Sequence, residues 1–96
     1  MYYMSLSLGD FVYYETNFIK GEGVIIDLSE EKDIKTYLIS IPEYNGDYKW
    51  IKYNNIKRKL DLSIENKLST ISNFGDWWYG FHKSIYQKLL IEAILN

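Results

Sequence analysis

Gly21-Glu22-Gly23-Val24-Ile25-Ile26-Asp27-Leu28 is the stretch on which the fold of this chain turns. Two glycines lead directly into β-branched residues, which predicts a sharp bend opening into a strand. That strand is expected from about Glu22 to Ser29. Val24, Ile26 and Leu28 would share one face and Ile25 and Asp27 the other, the period of two of a half-buried strand. Glu30-Glu31-Lys32-Asp33 then reads as a charged, solvated hairpin tip. With strand-like runs on both sides of it, the stretch predicts a small, closed β-barrel.

Upstream, Leu6 and Leu8 alternate with serines in a lead-in segment, and Gly9-Asp10 is a turn signal. Phe11-Val12-Tyr13-Tyr14-Glu15 is the first strand. The loop Thr16-Asn17-Phe18-Ile19-Lys20 carries two apolar side chains, one of which is expected to tuck back into the core. Downstream, Lys35 to Tyr44 places Tyr37, Ile39 and Ile41 opposite Leu38 and Ser40. Pro42 lacks an amide donor, so this strand should be an edge or bulged at that point. Asn45-Gly46 fits a two-residue type I′ turn. The fourth strand, Asp47 to Tyr53, alternates Tyr48, Trp50 and Lys52 against Lys49, Ile51 and Tyr53. Tyr53-Asn54-Asn55 reads as one helical turn, and Ile56 to Leu60 as a short closing strand.

At Asp61 the period changes to that of a helix. Ile64, Leu68 and Ile71 fall on one face, with Ser63 or Asp61 as the cap. Asn73-Phe74-Gly75 ends it, and Asp76 caps a second helix through Trp77-Trp78-Tyr79. From Phe81 to Leu95 the helical pattern is apolar over much of its circumference. Phe81, Ile85, Tyr86, Leu89 and Leu90 form one broad face, while Ile91, Ile94 and Leu95 fall outside it. Such a helix is buried between two layers or meets another chain. The fold class is thus mostly β with α: a five-stranded small barrel over 1–61 and a helical extension over 62–96 packed on it.

Composition narrows the function classes. Ninety-six residues make one domain, 47% hydrophobic and 25% charged. Ten Tyr, four Phe and three Trp are many for this length, and Tyr and Trp are enriched at contact surfaces. A formal net charge of −2 argues against wholesale nucleic-acid coating. The absence of cysteine removes disulfides and thiol catalysis, and with a single histidine, His82, no metal site or cofactor is expected. The N-terminus lacks the basic flank and apolar run of a signal peptide. No stretch approaches the ~18–20 apolar residues that span a bilayer, so a soluble, cytoplasmic protein with no membrane partner is expected.

Gly9-Asp10-x-Val12, then Gly21-x-Gly23-x-Ile25, then Tyr37, then Trp50-Ile51-Lys52-Tyr53-Asn54-Asn55-Ile56 resembles an SH3-like small barrel. The order of turns is similar to the RNA-polymerase-interacting domain of the CarD family, and to Tudor- and KOW-type barrels. The likeness covers residues 9–61. It implies an adaptor that binds a protein segment or nucleic acid rather than a catalyst.

Three constellations qualify as sites. Trp77-Trp78-Tyr79 is a contact hot spot or a seal between helix and barrel; neighbours on a helix point about 100° apart, so one Trp should be buried and the other at the surface. Trp50 and Tyr53 belong with it as aromatic contact residues, and Ile91 and Leu95 as the helical contact. Lys49, Lys52, Lys57, Arg58 and Lys59, interleaved with Trp50 and Tyr53, are the only basic concentration; cations beside aromatics suit single-stranded nucleic acid, whereas lysines on edge strands also guard against aggregation. His82 has no placed nucleophile or carboxylate, since Ser84 points elsewhere, so it reads as a hydrogen-bonded core or boundary residue. The expected function is therefore a non-enzymatic protein-interaction module acting through its aromatic face or C-terminal helix, homodimerisation through that helix being one form. A small phage or mobile-element inhibitor of a host defence or nucleic-acid enzyme is an alternative, as is a nucleic-acid-binding barrel using Lys49, Lys52, Lys57 and Lys59.

Overall fold

A computed structural model of the chain describes residues 4–41, 47–72 and 81–95. Five strands form one antiparallel sheet: β1 (Phe11–Glu15), β2 (Lys20–Glu31), β3 (Ile34–Ile41), β4 (Asp47–Lys52) and β5 (Ile56–Lys59). Their order across the sheet is β4-β3-β2-β1-β5. A single 3₁₀ turn, Tyr53–Asn55, links β4 to β5, where the sequence predicts a helical turn. Two helices follow, α1 (Ile64–Ser72) and α2 (Phe81–Leu95). Among the described residues no helix is long and apolar enough to cross a membrane. Pro42, the Asn45-Gly46 turn and the Asn73-Phe74-Gly75 break lie outside the described residues.

β2 is longer than expected, because its two glycines lie inside the strand and do not bend it. Gly21 pairs with Tyr14, and Gly23 with Val12. The reason for glycine at 23 is proximity, since a Cβ there would collide with the Ser40 carbonyl oxygen and stand 2.5 Å from Ile39 Cγ2. Only a residue without a side chain lets β3 come that close. Beyond it, the register against β3 slips: Ile25 faces Ile39, but Asp27 faces Leu38. Ile26 is the extra residue of a bulge, which shifts every later side chain to the opposite face. Leu28 is therefore paired with Tyr37, away from Val24 and Ile26, and is exposed. The expected single face of Val24, Ile26 and Leu28 is corrected accordingly.

Val24, Ile25 and Ile26 are all buried, which requires cover on both sides of the sheet. On one side Val24 and Ile26 join Phe11 and Leu38 under Ile85 and Leu89 of α2, with Leu60, Leu62, Leu68 and Tyr86 around them. On the other, Ile25 sits with Val12, Tyr14, Tyr37, Ile39, Ile41, Ile51 and Ile56. This second cluster takes Ile51 from one edge strand and Ile56 from the other, so the sheet wraps around it. Among the described residues no ladder joins β4 to β5, so the sheet is not closed by pairing between its two edges.

Local signals behave as their chemistry requires. Lys32 and Asp33 both have positive φ, 49° and 66°, so the charged tip forms the two-residue turn between β2 and β3. In the loop after β1, the Thr16 hydroxyl accepts from the Phe18 and Ile19 amides at 3.2 and 3.0 Å. Ile19 packs against the second cluster while Phe18 stands almost fully in solvent. Gly9 takes φ +93° and its amide donates to the Ile25 carbonyl, 2.8 Å away, laying the lead-in against β2. Ser63 caps α1, its hydroxyl accepting from the Asn66 amide at 3.2 Å.

Two stability measurements follow from the β2–β3 contact. Gly23→Ala must push β3 away and should cost about 1–3 kcal/mol, the range for overpacking; a denaturant midpoint unchanged from wild type would show that the strands have room. Ser40 is fully buried and its hydroxyl has no hydrogen-bond partner. Removing an unpaired buried hydroxyl relieves a desolvation penalty of about 1–3 kcal/mol. Ser40→Ala is therefore expected to hold or raise the denaturation midpoint, and a clear loss of stability would contradict the orphaned hydroxyl.

Candidate protein-contact surfaces

Alternation in β4 leaves an uneven set of side chains in water. Tyr48, Lys49, Trp50 and Lys52 are exposed, and Ile51 turns into the core. Trp50, half-exposed at 50%, lies opposite Leu38 in the register, and Lys52 lies opposite Thr36. Beside Trp50 an open groove of about 350 Å³ is lined by Ser29, Glu31, Lys32, Ile34, Thr36 and Trp50 itself. A second groove of about 360 Å³ lies between the β2–β3 tip and the 3₁₀ turn, along Asp33, Ile34, Lys35, Lys52, Tyr53 and Asn54. Ile34, exposed, borders both.

Tyr53 has a different position from its neighbours on β4. Its hydroxyl accepts from the Met4 amide at 2.7 Å and donates to the Met4 carbonyl at 3.1 Å. Its ring stands 6.4 Å from that of Tyr37. Together with Met4 and Leu6, which pack on the same cluster, Tyr53 ties the lead-in segment across the wrapped side of the sheet.

The basic residues divide between the two edges. Lys49 and Lys52 stand on β4, whereas Lys57, Arg58 and Lys59 stand on β5 at the far side of the strand order. Each cation of β5 is turned onto its own chain. Lys57 Nζ donates to the Asn54 carbonyl at 3.1 Å, and the Arg58 guanidinium lies 5.1 Å from the Tyr13 ring centroid. Lys59 Nζ donates to the Ser5 carbonyl at 3.1 Å and pairs with Asp10 at 3.5 Å. The sequence cluster thus is not one surface. Exposed pairs of this kind contribute at most about 1 kcal/mol, but they hold the β5 side chains along the protein.

Among the described residues, α2 carries four of the exposed large hydrophobics. Ile85 and Leu89 are seated on the sheet, and Lys88 Nζ donates to the Leu8 carbonyl at 2.8 Å. On the side turned away, Ile91, Ile94 and Leu95 are exposed at 57%, 81% and 80%. Leu90 joins them, although the helical pattern assigns it to the broad buried face. Lys83, Ser84 and Gln87, one and two turns earlier, are also exposed, so the outward side changes from polar to apolar along the helix. Trp77, Trp78 and Tyr79, and the side chains of Phe81 and His82, lie outside the described residues.

Tyr53→Phe keeps the ring and deletes the hydroxyl, leaving the Met4 amide and carbonyl without it. The expected loss is about 1 kcal/mol, read as a lower denaturant midpoint together with faster amide exchange at Met4. Unaltered exchange there would show that the hydroxyl does not hold the lead-in.

Comparison with family models, with curated proteins and with solved structures found no match for this chain.

Proposed function

We propose that this chain is an SH3-like small barrel with a helical extension, and that it works by binding another protein rather than by catalysis. One observation carries the reading: Leu90, Ile91, Ile94 and Leu95 stand in water on a helix whose opposite side is already seated on the sheet. Scattered apolar exposure is ordinary, but four large aliphatics within six consecutive residues form a patch. Covering such a patch returns about 25 cal/mol for each Å² removed from water. An amphipathic helix laid into an apolar groove is a recurrent way of doing so. The SH3-like assignment draws support from the strand order, the bulged central strand, the 3₁₀ turn before the last strand and the shared cluster of both edges.

The test pairs Ile94→Glu with Leu95→Glu. Both side chains are exposed, so the double variant should keep its melting behaviour to within about 0.5 kcal/mol of wild type. Sedimentation and cross-linking to host protein should then show wild type in a larger species that the variant does not form. Equal masses and equal cross-links for the two proteins would defeat the reading. Unfolding of the variant would do so as well, by assigning these residues to the core.

A further inference from the structure

β4 ends the sheet on one side, since it pairs with β3 and with no other strand among the described residues. An edge strand offers a row of backbone N–H and C=O groups to any strand that comes alongside. Here the edge runs over the six residues Asp47–Lys52. Alternation puts Tyr48, Trp50 and Lys52 on the face that carries Leu38 and Thr36. Lys49 lies on the opposite face with Ile39. Neither Lys49 nor Lys52 has a carboxylate partner among the described residues.

We propose that β4 accepts an extended acidic segment of a partner protein as an added strand. Backbone pairing along the edge would supply affinity, and the β4 side chains would choose the sequence. An apolar side chain opposite Trp50 packs against the half-exposed ring. Two residues further on, on the same face, a carboxylate meets Lys52. On the other face, next to the apolar residue, a second carboxylate meets Lys49. Read along β4 from 49 to 52, the partner pattern is acidic, apolar, any residue, acidic.

Charge decides between occupants. A second copy paired antiparallel and in full register through its own β4 would set Asp47 opposite Lys52 but leave Lys49 opposite Trp50, whereas an acidic segment gives both lysines a carboxylate. Lysines by themselves on an edge are a guard against pairing. Half-exposed Tyr48 and Trp50 beside them add apolar contact area that a guard does not need, and aromatic residues are enriched in protein contacts. Nucleic acid would need more free cations than this edge carries, because those of β5 are turned onto the protein. The inference rests on the protein-contact reading above and gives it a partner class, through residues other than those exposed on α2.

The experiment selects a displayed library of random short peptides on the full chain, and again on its Lys49→Glu, Lys52→Glu double variant. Wild type should enrich peptides with two carboxylates three positions apart around an apolar residue. The variant should enrich lysine or arginine at those positions and bind the wild-type winner about tenfold more weakly. With isotope-labelled protein, the winning peptide should shift amides of Asp47–Lys52 and the Trp50 indole, and added salt should weaken it. No enrichment, enrichment without acidic bias, the same peptides on both proteins, or tighter binding of oligo(dT) than of the winner would each overturn the inference. The Ile94→Glu, Leu95→Glu variant separates the two ideas. If the peptide arm fails while that variant still loses the larger species, the edge inference falls and the protein-contact reading stands.

Discussion

The approach of β3 to β2 at Gly23 is the constraint from which the other packing follows. A backbone carbonyl occupies the place where any side chain at 23 would be. The two strands are thereby held close just before the register slip at Ile26. With the extra residue accommodated there, three successive aliphatics are buried, two toward α2 and one toward the wrapped face. Loosening that contact would disturb both clusters at once, because β2 lies between them. Ser40 belongs to the same contact: its carbonyl abuts Gly23, and Val24 and Tyr48 flank it in the register, while its hydroxyl is buried and unpaired.

Most of the sheet was legible in the sequence because period-two alternation is a local property. Phe11 to Glu15 forms the strand its pattern predicts, and Tyr37, Ile39 and Ile41 part from Leu38 as expected. The helical turn at Tyr53 and the charged tip at Lys32 were legible for the same reason. The bulge was not. Val24-Ile25-Ile26-Asp27-Leu28 alternates equally well with or without an inserted residue, and only the partner strand reveals which residue is extra. The glycines misled for a related reason, since a glycine demanded by a neighbouring backbone looks in sequence like one demanded by a bend.

The contact surfaces divide along the same line. Helical periodicity alone sets Ile91, Ile94 and Leu95 apart from Ile85 and Leu89, and their exposure agrees with it. Leu90 was misplaced because it lies at the border of the broad face, where the width of the surface beneath the helix decides. The lysines illustrate the opposite case. Lys52 and Lys57 are five positions apart in the chain, yet β4 and β5 bound opposite sides of the strand order, and that separation is decided by pairing with β3 and β1. Chain proximity gave a single basic patch where the fold has two separate edges.

The pairing of β1 with β5 joins two strands far apart in the chain. β2 and β3 are joined by a two-residue turn and β3 is followed by β4, so this meander needs only short loops to close. β1 meets β5 only after everything between them has been brought together, and the entropy of closing a loop rises with its length. A chain leaving the ribosome can zip its central strands while β1 still has one side vacant and the wrapped cluster still lacks Ile56. Until Lys59 has emerged, Val12 and Tyr14 lack the strand that covers them. Any interval in which β1 keeps that vacant edge is one in which another strand has a place to pair.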